Sequence, residues 1–150
     1  MVHKPRSEMI AETRAKLVAA ARDAFGRVGY ANASMDDFTA GAGLTRGALY
    51  HHFGGKEGLF EAVIMQIDGE MTERLKGVSQ RASDPWQGFV DECVAYIEMA
   101  LEPEIQRIML QFTPLSWSNY EWGVLDSPRR LLGVLWLLLV LILQLRLKLL

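Results

Sequence analysis

Residues 44–60 read LTRGALYHHFGGKEGLF and place Arg46, Tyr50, His51, His52 and Lys56 within a short span broken by glycines. These side chains are cations and hydrogen-bond donors, and no nucleophile, base and acid stand among them at a workable spacing. The chemistry they suit is non-covalent contact with an anionic surface. A metal site at the paired histidines is not expected, because adjacent helical positions point about 100° apart and no further ligands lie nearby. The rest of the chain offers no catalytic constellation either, so the sequence indicates neither an enzyme nor a bound cofactor.

Such donors act together only if an element holds them on one face. Thr45 can cap a helix that Gly54-Gly55 closes, with Leu49 and Phe53 four apart on its inward side. On that helix Arg46, Gly47, Tyr50 and His51 share an arc of about 140°, while His52 points away from it. An outward arc of this kind on a short, anchored helix can enter a DNA major groove. Gly47 would allow close backbone approach, and Arg46 would reach a guanine edge or a phosphate. Tyr50 would donate its hydroxyl to phosphate. Lys56 would add charge at the start of the following helix, whose N-terminus brings amide groups and a positive dipole end.

The flanking sequence supplies the supports. Ile10, Leu17, Ala21, Ala24, Phe25 and Val28 follow three-and-four spacing, so a first amphipathic helix is expected from a cap at Ser7 to a stop at Gly29. Ser34 stands three residues before Asp37 in the pattern of a capping box. It begins a short second helix that Gly41-Ala42-Gly43 ends, and Ser34 is also a candidate phosphate contact. Two short helices joined by a glycine turn, the second capped by Thr45, make a helix-turn-helix. A long fourth helix opens at Lys56 and carries Leu59, Phe60, Val63, Ile64, Ile67, Met71, Leu75 and Val78. Asp84-Pro85 begins a fifth, cap then proline, with Trp86, Phe89, Val90, Cys93, Val94, Ile97 and Leu101 along one side, and Glu102-Pro103 a sixth that Thr113-Pro114 stops.

Composition agrees with a soluble helical protein of 150 residues and is too apolar for a chain disordered throughout. The formal net charge of -2 conceals an asymmetry, for residues 1–60 carry eight Lys and Arg against six Asp and Glu. The mild positive bias therefore lies around the recognition stretch. One cysteine, Cys93, excludes an intramolecular disulfide framework and a cysteine zinc cluster, and reads as a small buried hydrophobe. The N-terminus is too polar for a signal peptide, which points to the cytoplasm.

The segment GYANASMDDFTAGAGLTRGALYHHFGGKEGLFEAVI, residues 29–64, resembles the DNA-binding region of the tetracycline-repressor (TetR) family of bacterial transcription regulators. In its core, AGLTRGALYHHFGGKEGLF, the family's alanine, glycine, aliphatic residue, serine or threonine, second glycine, leucine, tyrosine, histidine, phenylalanine and following lysine all fall in register. Phe38 and Thr39 depart from the usual aliphatic residue and alanine. The resemblance covers about residues 8–70. It implies a homodimer that binds a double-stranded, palindromic operator through its N-terminal domain, most often as a repressor. Release would follow small-molecule binding in a helical C-terminal domain.

The expected architecture is thus all-α, with a helix-turn-helix domain over residues 8–70 and a partial effector-binding and dimerisation domain over 71–130. Within the latter, Trp86, Phe89, Tyr96, Met109, Phe112 and Trp117 make either a plain bundle core or the lining of an effector pocket. Residues 131–150 form a leucine-rich tail with thirteen uninterrupted apolar or glycine positions, short of the roughly 17–25 that a bilayer span needs. The tail is read first as an altered or truncated terminus, with a buried dimer helix and a membrane anchor as alternatives. The competing functional reading is a membrane-tethered or self-associating interaction module that has lost operator binding.

Overall fold

The computed structural model describes residues 5–109, except the side chain of Met109. Six helices follow one another, α1 (Arg6–Asn32), α2 (Met35–Ala42), α3 (Arg46–Phe53), α4 (Lys56–Ser79), α5 (Pro85–Ala100) and α6 (Pro103–Met109). No strand occurs among the described residues. The chain divides into two compact units at Glu70 and Met71, so that α4 contributes to both.

The first unit is built around Phe25. The α1 residues Leu17, Ala21, Ala24 and Phe25 recur at helical spacing and are buried, as are Phe38 of α2, Leu49 of α3, and Leu59, Phe60, Val63, Ile64 and Ile67 of α4. The Phe25 ring lies 5.0 Å from both Phe38 and Phe60, edge-on to the latter, and 5.6 Å from Tyr30. Burying one such aromatic side chain stabilises by about 1.5–3 kcal/mol, so Phe25 and Phe38 anchor α1 to the helix-turn-helix. Phe38 therefore serves as a core ring where the family pattern has an aliphatic side chain. Thr39 is also buried, and its hydroxyl donates to the carbonyls of Met35 at 3.1 Å and Asp36 at 3.3 Å, which removes the cost of a bare polar group.

Helix ends follow local chemistry. Ser34 caps α2 in a complete capping box, its hydroxyl oxygen accepting from the Asp37 amide at 3.2 Å while the Asp37 carboxylate accepts from the Ser34 amide at 2.9 Å. Gly43 takes a left-handed conformation (φ 64°) to turn the chain between α2 and α3. Thr45 caps α3 by accepting from the Ala48 amide at 3.2 Å, and Asp84 caps α5 by accepting from the amides of Trp86 and Gln87. Pro103 begins α6 as anticipated; the stop at Thr113-Pro114 lies outside the described residues.

Several expectations need correction. Helix α1 starts one residue before Ser7, with Pro5 at the cap and no side-chain cap bond, because the fixed φ of proline already suits a helix start. Its regular turns end at Gly29 (φ 78°), followed by a short hydrogen-bonded turn to Ala33. Ile10 and Val28 are exposed, since nothing in the first unit covers those ends of the α1 stripe. Phe53 is half-buried, and the Arg14 guanidinium covers its ring at 4.4 Å from the centroid.

In the second unit, Arg74 of α4 donates to Glu102 at 2.7 Å, at the start of α6. Met99, Ala100, Ile105 and Ile108 are buried, whereas Trp86, Val94, Ile97 and Leu101 of the expected α5 stripe are exposed. Cys93 is half-buried. No described helix is long and apolar enough to cross a membrane, and residues 131–150 lie outside the described residues.

Candidate nucleic-acid interface

Helix α3 is eight residues long and is fixed at three points. Thr45 caps its start, Leu49 is fully buried beneath it, and at its end the Gly54 amide donates to the Tyr50 carbonyl at 2.9 Å. Next to that end, the Arg14 side chain donates to the His52 carbonyl at 2.7 Å. A fixed inward side leaves the opposite side constant in direction. Arg46, Gly47, Tyr50 and His51 are all exposed there, Tyr50 to 56%. His52 is half-buried, with its ring 5.1 Å from that of His51. No group of three or more metal-ligating side chains occurs among the described residues.

Two glycines of this region differ in their surroundings. A Cβ on Gly47 would meet only the Thr45 hydroxyl, at 3.8 Å, so the fold leaves room there for a side chain that the sequence omits. A Cβ on Gly58, in the first turn of α4, would lie 2.1 Å from the Phe53 carbonyl oxygen. Gly58 thus lets α4 start directly against the end of α3, a role the sequence reading did not assign.

Charged side chains around the arc are held by partners the sequence did not reveal. Arg46 binds Asp36 of α2 through both carboxylate oxygens, Nε to Oδ1 at 2.8 Å and Nη2 to Oδ2 at 2.5 Å. This hydrogen bond holds the Asp36 carboxyl below its ordinary pKa and raises that of Arg46. The Lys56 ammonium lies 4.5 Å from the centroid of the Tyr30 ring, which orders it near the first turn of α4. Burial, then the neighbouring Glu57 charge, raise the Tyr30 pKa. The Ser34 hydroxyl donates to Asp37 at 2.7 Å, so a donated bond to phosphate would require breaking that contact. Opposite charges at the starts of two consecutive short helices were the one available hint of the Asp36–Arg46 pair.

Of the candidate effector residues, the side chains of Trp86, Phe89 and Tyr96 are among the described residues. Trp86 is 73% exposed with its ring 6.0 Å from that of Phe89, while Phe89 and Tyr96 are half-buried. The Met109 side chain, Phe112 and Trp117 lie outside the described residues. An open cleft in the second unit runs instead between α4 and the end of α5, with Arg74, Arg81, Glu98, Met99 and Glu102 on its walls.

Comparisons with known proteins bear on both units. A family model described as bacterial regulatory proteins, tetR family, matches residues 17–63. A second, described as a tetracyclin repressor-like C-terminal domain, matches residues 86–123. The HTH-type transcriptional regulator UidR of Escherichia coli K12 is 41% identical over 87 residues, covering 57% of this chain and 41% of that protein. The HTH-type transcriptional repressor AcnR of Corynebacterium glutamicum is 28% identical over 121 residues, covering 79% of this chain and 62% of that protein. A crystal structure of a TetR-family transcriptional regulator from Pectobacterium atrosepticum is 61% identical with a TM-score of 0.64, and covers 72% of this chain and 55% of that one. The chain thus spans less than two thirds of each relative's length. With an anchored helix-turn-helix, two family models that together match more than half of the sequence, and a solved relative of 61% identity, the chain belongs to the tetracycline-repressor family of bacterial regulatory proteins.

Proposed function

We propose that this protein is a transcriptional repressor that reads a palindromic operator as a homodimer and leaves it on binding a small molecule. The observation that carries the reading is the exposed arc Arg46, Gly47, Tyr50 and His51 on a helix whose opposite side is fully buried at Leu49. Such an arc meets base edges and phosphates at once, so it serves recognition rather than catalysis. Names of relatives support the regulatory role, UidR being a transcriptional regulator and AcnR a transcriptional repressor. A cytoplasmic location, a non-enzymatic role, a DNA-binding domain over residues 8–70 and an effector and dimerisation domain over 71–130 complete the proposal.

In this reading Arg46 reaches a guanine edge, Gly47 permits close approach, and Tyr50 and His51 contact phosphate or base. Thr45 and Ser34 fix the two short helices beside the backbone. Lys56 supplies charge to a phosphate at the start of α4, held in position by Tyr30. The effector is assigned to the second unit, with Trp86, Phe89, Tyr96, Met109, Phe112 and Trp117 as its candidate contacts. A two-headed complex requires half-sites about 34–36 Å apart or a multiple of that spacing.

Selection of bound DNA from a random pool tests the proposal, with enrichment of one inverted repeat as the expected result. Recovery of no common sequence overturns it. On the selected site, Lys56→Ala should weaken binding to specific and random DNA alike. It should also lower the slope of log affinity against log salt by about one phosphate contact. An unchanged slope removes Lys56 from the interface.

A further inference from the structure

Asp36 occupies the second position of α2, exposed and next to a second carboxylate, Asp37, in a protein proposed to meet a polyanion. Carboxylates in a first helical turn favour the dipole, and Asp37 is used that way in the capping box. Asp36 is used differently, for its two oxygens go to the guanidinium of Arg46, ten residues on and in the next helix.

The geometry of that pair has a consequence for recognition. A guanidinium has five N–H donors in a rigid planar fork. Asp36 occupies the side formed by Nε and Nη2, which leaves the Nη1–Nη2 edge open. That edge carries two parallel donors, the arrangement that matches O6 and N7 of guanine. We propose that Asp36 is a positioning residue that aims Arg46 at a guanine, so that the two act as one specificity-determining unit. This rests on the DNA-binding reading given above. A free arginine on an exposed helix must lose several rotatable bonds on contact, whereas one already clamped by a carboxylate has less freedom to lose. The clamp also cancels the arginine's charge, so the pair adds discrimination between bases and little general attraction to DNA. Lowered protonation of Asp36 agrees with a carboxylate that stays ionised to hold its partner.

The experiment is base-by-base substitution of the selected operator, measured with the full chain as parent, Asp36→Asn and Arg46→Lys, at several salt concentrations. In the parent, one guanine in each half-site should be preferred by about tenfold or more, as a bidentate contact provides. In Asp36→Asn that preference should fall below about threefold at that position alone, while affinity for random DNA rises and the salt slope steepens by about one. Arg46→Lys keeps the charge but cannot form the planar fork, and should lose the same preference. Both substitutions are at exposed positions, and circular dichroism with a melting curve checks that the helices remain. If Asp36→Asn does not melt like the parent, Asp36→Ser, which also removes the clamp and keeps a polar first-turn side chain, takes its place with the same expected loss of preference. Unchanged preference at every position in the folded variants overturns the proposal. So does a uniform rise in affinity without loss of base preference, which would make Asp36 only a competitor for Arg46. A parent that enriches no sequence at all overturns the DNA-binding reading itself, a separate failure visible before any variant is made.

Discussion

Gly47→Val is expected to abolish sequence-specific DNA binding while the protein remains folded. The position is helical, exposed and followed by open space, with a Cβ meeting only the Thr45 hydroxyl at an ordinary 3.8 Å. Nothing among the described residues therefore requires glycine there. Glycine in a helix costs about 0.5–1 kcal/mol relative to alanine, so Gly47→Ala should leave thermal stability equal or slightly raised. At the proposed interface the same methyl stands between the α3 backbone and the groove. Loss of one well-formed base contact corresponds to about 1–3 kcal/mol, or on the order of tenfold in affinity. The branched valine displaces the whole helix and several contacts with it, so its effect should exceed about a hundredfold. The check is a melting curve paired with operator titration. Tight operator binding by the valine variant would remove this face of α3 from the interface.

Gly58→Ala is expected to act in the opposite way, by unsettling the fold. Its Cβ would stand 2.1 Å from the Phe53 carbonyl oxygen, a backbone atom that no side-chain rotation can move aside. Either the first turn of α4 or the end of α3 has to shift, and overpacking of this kind costs about 1–3 kcal/mol, occasionally more. A first unit of this size has only about 5–15 kcal/mol in total stability, so its melting temperature should fall by several degrees. The shift also disturbs Lys56 and the Tyr30 ring beneath it, so operator affinity should fall together with stability. Identical melting of parent and variant would mean that α3 and α4 are not in contact as described.

The two glycines mark the boundary between what a sequence discloses and what it withholds. Both lie in the stretch LTRGALYHHFGGKEGLF, and both precede an apolar helical run. Only the neighbour five residues back, folded against α4, distinguishes a glycine the structure needs from one it tolerates. The same holds for charge. Arg46 and Lys56 were legible as cations on the recognition side, but their partners Asp36 and Tyr30 come from other helices. Arg14 was an ordinary polar residue of the first helix until its guanidinium was found over Phe53 and its hydrogen bond at the His52 carbonyl. In the second unit, the expected α5 stripe is correctly spaced for a helix, yet Trp86, Val94, Ile97 and Leu101 face away from its buried residues. Periodicity shows that a face is apolar and does not say what, if anything, covers it.

By itself the sequence determined the elements and the direction of the recognition arc. Caps at Ser34, Thr45 and Asp84 act within three residues, helical turns at Gly29 and Gly43 are set by local backbone sterics, and 3.6-residue periodicity sorts Leu49 from Arg46, Tyr50 and His51 without reference to any other helix. Tertiary structure alone decided how that arc is held. It set Phe25 among Phe38, Tyr30 and Phe60, clamped Arg46 to Asp36, laid Lys56 over Tyr30 and brought the start of α4 onto the Phe53 carbonyl. Those contacts join residues up to 35 positions apart, as Phe25 and Phe60 are. Caps and periodicity act over one or two turns, whereas contacts at such separations depend on the angles at which packed helices cross, which no local pattern of residues encodes.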